Sequence, residues 1–302
     1  MTSVEESAYL TPEARARNEI DRKLAAAGWV VQRYKQINLG AGRGVAVREF
    51  PLEAGHGRAD YLLFVDRKPL GVVEAKPDGA TLTGVEWQSD KYTEGLPQGL
   101  GAPTRPLPFA YESTGVETRF TNGFDPEPRS RQVFSFHRPD TLAGWIEDWR
   151  RDFDRPTLRA RLRELPPLDS RDLWPPQERA IRNLEASLAH DRPRALIQMA
   201  TGSGKTYTAA NVAYRLIKHA DARRALFLVD RFNLGRQTKG EFDRFVVPDL
   251  NRKFTELYTV QHLRTNTIDP VARVVITTIQ RLYSILKGES ELDEELDERS
   301  GF

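Results

Sequence analysis

Three side chains in the first quarter of the chain, Asp60, Glu74 and Lys76, have the types and spacing for metal-assisted hydrolysis of a phosphodiester. They lie in the run RADYLLFVDRKPLGVVEAK, residues 58–76. Alternation along a strand puts Asp60, Leu62 and Phe64 on one face, and Leu70, Val72, Glu74 and Lys76 on one face of the next strand. A hairpin whose five-residue loop is Val65–Pro69 keeps Pro69 out of the ladder. It pairs Phe64 with Leu70, Leu62 with Val72 and Asp60 with Glu74, the last two about 5 Å apart at Cβ. Facing carboxylates repel unless a cation lies between them, and Mg²⁺ suits an all-oxygen site. Lys76 then stands where it can orient or activate water and stabilise charge on the phosphate. The bland alternative is an edge hairpin with solvated charges. The same pairing predicts that Asp60→Ala leaves the metal-free fold unharmed or slightly stabilised.

A second run, Ala200-Thr201-Gly202-Ser203-Gly204-Lys205-Thr206, has the chemistry of a phosphate cradle. Glycines let backbone N–H groups turn inward around phosphate oxygens, Lys205 reaches the outer phosphates, and Thr206 holds Mg²⁺. Expected strand Ala195–Met199 before it and helix Lys205–Lys218 after it aim a helix N-terminus at the anion. Met199 stands where the strict phosphate-loop pattern has its first glycine.

These groups need a scaffold, and composition limits its class. The 302 residues suggest two domains; Lys+Arg is 45 against Asp+Glu 43, a net +2. That excludes a purely electrostatic nucleic-acid binder but not a local basic groove. Mean hydropathy is −0.56, no apolar run spans a membrane, and MTSVEESAYL lacks the order of a secretory leader. The absence of cysteine excludes disulfides, thiolate metal sites and a cysteine nucleophile. A cytoplasmic protein is expected. With 10 Lys against 35 Arg, each lysine in a motif carries weight.

Residues 11–28 read as a helix with Thr11 as N-cap and Pro12 in its first position. Strands follow at Trp29–Tyr34, Val45–Leu52, Ala59–Val65 and Leu70–Ala75, then a helix at Val85–Gly95. Residues 96–108 hold four prolines and read as a loop. Strands at Phe109–Ser113 and Gln132–Phe136 precede a helix carrying Trp145 and Trp149. From Pro176 the pattern alternates: helix Pro176–Ala189, the phosphate-loop strand and helix, strand Ala225–Val229, helix Phe232–Phe245, strand Val274–Thr277. That order predicts a parallel α/β sheet. The expected division is 1–165 and 166–302, with Glu289–Glu298 as a solvated acidic tail.

The first segment resembles the PD-(D/E)xK nuclease core, with Asp60, Glu74 and Lys76 on its signature and Ala59 where the proline usually stands. The resemblance implies that Glu19, on the first helix, assists the metal site. Gln88 and Tyr92 match the Gln-x3-Tyr element of the RecB-type branch and lie one helical turn apart, where they could contact DNA. The second segment resembles superfamily 2 helicases and translocases, which makes it a RecA-like lobe. There Gln177 is implied to read the adenine of ATP. Arg231 and Gln237 in Leu226–Gln237, with Thr278 and Gln280 in Val275–Gln280, are implied to touch the DNA backbone. The Asp-Glu strand and second lobe of such motors are missing, so ATP binding without useful turnover is expected.

The two domains in this order resemble the R (motor and nuclease) subunit of type I restriction–modification enzymes. That implies double-stranded DNA, methyltransferase and specificity subunits as partners, DNA translocation driven by ATP, and cleavage far from the recognised site. A stand-alone helicase–nuclease and a non-catalytic nucleotide-binding module remain as alternatives.

Overall fold

The computed structural model describes residues 11–82 and 95–287. It divides into two compact units, Met1–Thr157 and Leu158–Phe302. The helix expected at Val85–Gly95, with Gln88 and Tyr92, and the acidic tail lie outside the described residues.

The first unit is built on a seven-stranded mixed sheet in sequential order. Its strands are β1 (Val30–Arg33), β2 (Gly44–Pro51), β3 (Arg58–Val65), β4 (Lys68–Ala75), β5 (Phe109–Ser113), β6 (Thr118–Asn122) and β7 (Arg131–Val133). Pairing is parallel for β1–β2 and β4–β5 and antiparallel elsewhere. Both faces of the central strands are covered, so β3 reads as an apolar run whose alternation only the two cores reveal. Tyr61, Leu63 and Val65 join one core with Ile20 and Leu24 of helix α1 (Pro12–Ala26) and Leu142 and Ile146 of helix α2 (Pro139–Arg151). Ala59, Leu62 and Phe64 join the other with Val45, Val47 and Val72. Thr11 caps α1 through its hydroxyl, which accepts from the Ala14 N–H at 3.2 Å, and proline fills the first turn.

The β3–β4 connection differs from the sequence expectation. Tyr61 pairs with Val73 and Leu62 with Val72, as the hairpin requires, but Phe64 pairs with Pro69 and Val65 with Lys68 across an irregularity after Leu63. The loop is two residues, not five. Asp66 and Arg67 both adopt left-handed backbone, φ 48° and 66°, which makes the tight turn that matches strand twist. Pro69 is therefore inside the ladder.

The second unit has a three-stranded parallel sheet in the order β11 (Thr259–His262), β12 (Ala272–Thr278), β8 (Ala225–Val229). The unit also holds the short helices α3 (Leu158–Leu162) and α7 (Phe254–Leu257) and a two-stranded ladder joining β9 (Val246–Val247) to β10 (Arg252–Lys253). Helices α5 (Lys205–His219) and α6 (Phe232–Arg244) supply Ala213, Tyr214, Ile217 and Phe242 to its core, with Val274 and Ile276 from β12. Helix α4 (Pro175–Ala189) is tied to α5 by Arg215, which donates to Glu185 at 2.5 Å and to the Pro166 carbonyl at 2.6 Å. The mostly parallel pattern expected after Pro176 is present, with one correction. Ala195–Met199 is not a strand: it has no ladder partner among the described residues, and Leu196 is 95% exposed. Apolar residues become a strand only beside a sheet edge that receives their N–H and C=O groups.

Candidate functional site

The first site sits where the β3–β4 ladder ends. The last ladder pair is Tyr61–Val73, and continuing its register by one step sets Asp60 against Glu74, whose charge acts on it. The Asp60 carboxylate takes the place of backbone pairing there, Oδ2 accepting the Ala75 N–H at 3.0 Å. Burial raises the Asp60 pKa, with the Glu74 charge adding to it and the Ala75 N–H opposing. Lys76 is placed by its own amide, which donates to the Ser113 carbonyl at 2.8 Å, and its Nζ lies 4.0 Å from Glu74. The sheet thus brings Asp60, Glu74 and Lys76 together.

Two further residues enter that the motif reading missed. Arg17 of α1 donates to Asp60 Oδ1 at 2.7 Å and also pairs with Glu13 and Glu49. A cation between the carboxylates and their surroundings is thus supplied by the chain itself. Glu112 of β5 is the register partner of Glu74 in the parallel β4–β5 pair. Asp60, Glu74 and Glu112 accordingly form a row across three strands. Burial raises the Glu112 pKa while the Lys76 charge opposes it, and its Oε2 is buried without a hydrogen-bond partner. Only the alternation of FAYES on a neighbouring strand hints at Glu112, and that signal needs the strand order to be read.

Glu19 is not part of this row. Its carboxylate is held by Arg22 at 2.5 and 3.0 Å, which lowers its pKa. The first helix meets Asp60 through Arg17, half a turn before Glu19, because the helical period turns position 19 elsewhere. No group of three His, Cys, Asp or Glu close enough to hold a metal is present among the described residues. Mg²⁺ commonly takes only one or two carboxylates and keeps several waters. The all-oxygen donors and the orphaned Glu112 Oε2 fit that demand.

The second site is the loop before α5. Gly202 and Gly204 take φ 79° and 80°, backbone that a side chain would strain. Gly204 is the N-cap of the fifteen-residue α5, whose first N–H groups lack helical partners. Lys205 folds back over the loop, Nζ donating to the Met199 and Ala200 carbonyls at 3.4 and 3.3 Å. Ser203 Oγ donates to the Ala200 carbonyl at 2.6 Å, while Thr201 and Gly202 are exposed and Thr206 half-buried. Gln177 reaches this loop: its Nε2 donates to the Ser203 carbonyl at 3.1 Å and its Oε1 accepts the Trp174 N–H at 3.0 Å. A Cβ on Gly204 would meet Gln177 Nε2 at 2.3 Å, so both glycine freedom and close approach are needed there. Both ends of the Gln177 amide serve as a brace between α4 and the loop.

Of the residues implied to touch DNA, Arg231, Gln237 and Gln280 are exposed. Thr278 is 3% exposed and its hydroxyl accepts the Arg281 N–H at 3.3 Å. It closes the start of helix α8 (Ile279–Lys287) and is not on a DNA-facing surface.

Comparison with known proteins bears on both units. The family described as type III restriction enzyme, res subunit, matches residues 171–300. The second domain of the type I restriction enzyme EcoKI endonuclease subunit matches residues 31–105. The full EcoKI endonuclease subunit of Escherichia coli (strain K12) is 28% identical over 92% of this chain and 30% of its own length. The chain is similar to the endonuclease subunits of type I restriction enzymes. A second such relative, the SauMSSORF170P endonuclease subunit of Staphylococcus aureus (strain MSSA476), is 26% identical over 79% of this chain and 26% of its own. The chain therefore spans under a third of the length of these endonuclease subunits. A solved fragment assigned to an HsdR subunit of a type I restriction enzyme from Vibrio vulnificus YJ016 covers 92% of this chain and 49% of that one. It is 21% identical with a TM-score of 0.34, and the fold stands on the topology above. No described helix is long and apolar enough to cross a membrane.

Proposed function

We propose that this chain carries the nuclease site and the nucleotide-binding loop of an ATP-dependent type I restriction endonuclease subunit. The observation that supports it is the register placing Asp60 opposite Glu74, with Lys76 at the same strand end, in a chain that also holds a separate phosphate loop. Asp60 and Glu74 would hold Mg²⁺, which when bound supplies a more acidic water and stabilises negative charge on the phosphate. Lys76 aims its ammonium at the water or at a non-bridging oxygen of the scissile phosphate. Glu112, beside Glu74, faces the Lys76 ammonium and helps to direct it. The β-ladder fixes these groups before substrate arrives, which is the positioning that catalysis needs.

In the second unit Gly202, Gly204, Lys205 and Thr206 would cradle the phosphates of ATP, with Thr206 on its Mg²⁺, and Gln177 would link adenine recognition to the loop. DNA and the methyltransferase and specificity subunits are the proposed partners, with the motor feeding DNA to the nuclease site. In the assembled complex, Asp60→Ala and Lys76→Ala are each expected to abolish DNA cutting while ATP hydrolysis and translocation continue. A complex carrying Asp60→Ala that cuts at the normal rate would overturn the nuclease assignment. Calorimetry on Lys205→Ala tests the other site, where a loss of roughly 100-fold in ATP affinity is expected from removing a charge-assisted contact.

A further inference from the structure

Beside Asp60 opens a cleft of about 540 Å³ whose walls include Arg17, Arg33, Tyr34, Lys35, Arg48 and Arg58. Its cations are not equivalent. Arg17 is held by Glu13, Glu49 and Asp60, and Arg48 is paired with Asp21. Arg58 meets Glu49 only at 3.9 Å. Arg33 and Lys35 are exposed and have no acidic partner among the described residues. The fold explains their place. Arg33 ends β1, the edge strand of the sheet, and Lys35 lies in the 3₁₀ turn Tyr34–Gln36 that follows. Arg58 opens β3, two residues before Asp60. Between the two unneutralised cations stands Tyr34, 44% exposed, its ring fixed edge-on against Phe50 at 5.2 Å.

Uncompensated cations beside an exposed, immobilised aromatic face form the combination that tracks a nucleic-acid strand: charges for phosphates, a ring for a base. A double helix keeps its bases stacked inward and gives such a ring nothing to hold. We propose that this cleft binds a single-stranded stretch of DNA leading to the bond cut at Asp60 and Glu74, with phosphates on Arg33, Lys35 and Arg58 and a base on Tyr34. The inference rests on the nuclease reading above and adds to it the strand's path and its unpaired state.

The test is the affinity of the 302-residue chain for a fluorescent single-stranded oligonucleotide, measured over a salt series. Arg33→Ala with Lys35→Ala removes two phosphate contacts, so the slope of log affinity against log salt should become shallower by about 1.4. Tyr34→Ala should weaken binding roughly tenfold and leave the slope unchanged. Thermal unfolding midpoints equal to wild type show that the fold is intact. Because the chain has no cysteine, Lys35→Cys creates a single thiol. By thiol–disulfide exchange it should attack DNA whose phosphate tether carries a mixed disulfide, joining to the DNA sulfur and releasing the small thiol, whereas Arg129→Cys, beside the opposite edge strand β7, should not. Wild-type slope and affinity in the double variant, or no cross-link at position 35, overturn the inference while leaving the nuclease reading standing. Equal loss on blunt duplex with no effect of Tyr34→Ala overturns the single-strand path. A wild-type chain that binds no DNA removes both readings.

Discussion

The two candidate sites are built in opposite ways. In the first unit, residues 14 positions apart meet because two strands pair in one register, and a third strand adds Glu112 from still farther along the chain. In the second, seven consecutive residues make the loop, and the segment leading into it, Ala195–Met199, pairs with nothing among the described residues. One site is a property of a sheet, so damage anywhere in the ladder reaches it. The other is a property of local backbone, so its glycines and its lysine matter more than its surroundings. Among the described residues, the Gln177 amide on Ser203 ties the loop to a distant part of the chain.

This contrast can be broken most sharply at Gly71. A Cβ there would meet the Phe109 carbonyl oxygen at 2.6 Å and Phe109 Cβ at 3.0 Å, both in the next strand. Backbone cannot step aside cheaply, so Gly71→Ala is expected to cost about 4 kcal/mol in urea unfolding of the first unit. Nucleotide binding by the second should survive. Stability near that of wild type would show that the β4–β5 ladder is softer than its register suggests.

Acid should find the first unit through His137. Burial, helped by the Arg131 charge, lowers its pKa from 6.5 to about 4, and its Nδ1 shares a 2.7 Å hydrogen bond with Tyr111 in the core. The unfolded chain takes up the proton first as pH falls. The stability tied to neutral His137 is thus full above pH 6.5 and is lost progressively as pH drops through about 4. The loss amounts to about 3 kcal/mol. His137→Phe should flatten the stability–pH curve over that window; an unchanged curve would remove the assignment.

Asp60→Ala is expected to destabilise the first unit by about 2 kcal/mol, the opposite of what facing like charges alone predict. The reason is that Asp60 is not merely opposed to Glu74. It accepts from the Ala75 N–H, which would be stranded, and from Arg17, which would be left with Glu13 and Glu49 alone. Equilibrium unfolding in urea without metal measures the sign directly. The smallest effect is expected at Leu196, 95% exposed in the unpaired segment, where Leu196→Ser should change stability by less than about 0.5 kcal/mol. A larger loss would mean that Ala195–Met199 does pair, and the contrast between the two sites would narrow.

Local chemistry made much of this protein readable in advance. Thr11 and Pro12 start a helix because a hydroxyl and a ring satisfy or dispense with the first free N–H groups. Alternation placed Asp60 with Leu62 and Glu74 with Val72. The glycines of the loop before α5 announce left-handed backbone, which Gly202 and Gly204 adopt. Strand pairing was harder. The Asp66–Arg67 turn has two non-glycine residues at positive φ; Asp66 is a type that tolerates this backbone, but Arg67 stands where a glycine would have announced a two-residue loop.

What the sequence alone determined was whatever neighbours along the chain decide: the helix cap, the strand faces, the glycine loop before α5 and the order of the two units. What needed the tertiary structure was every relation between distant segments. Strand order alone puts Glu112 beside Glu74, and helix packing alone brings Arg17, rather than Glu19, to Asp60. Whether Ala195–Met199 becomes a strand depends on a neighbouring edge, and whether Thr278 faces solvent depends on α8 folding over it. The physical reason is the same in each case. Propensity and periodicity act within a few residues, whereas hydrogen-bond partners and burial are supplied by whichever segment packs alongside.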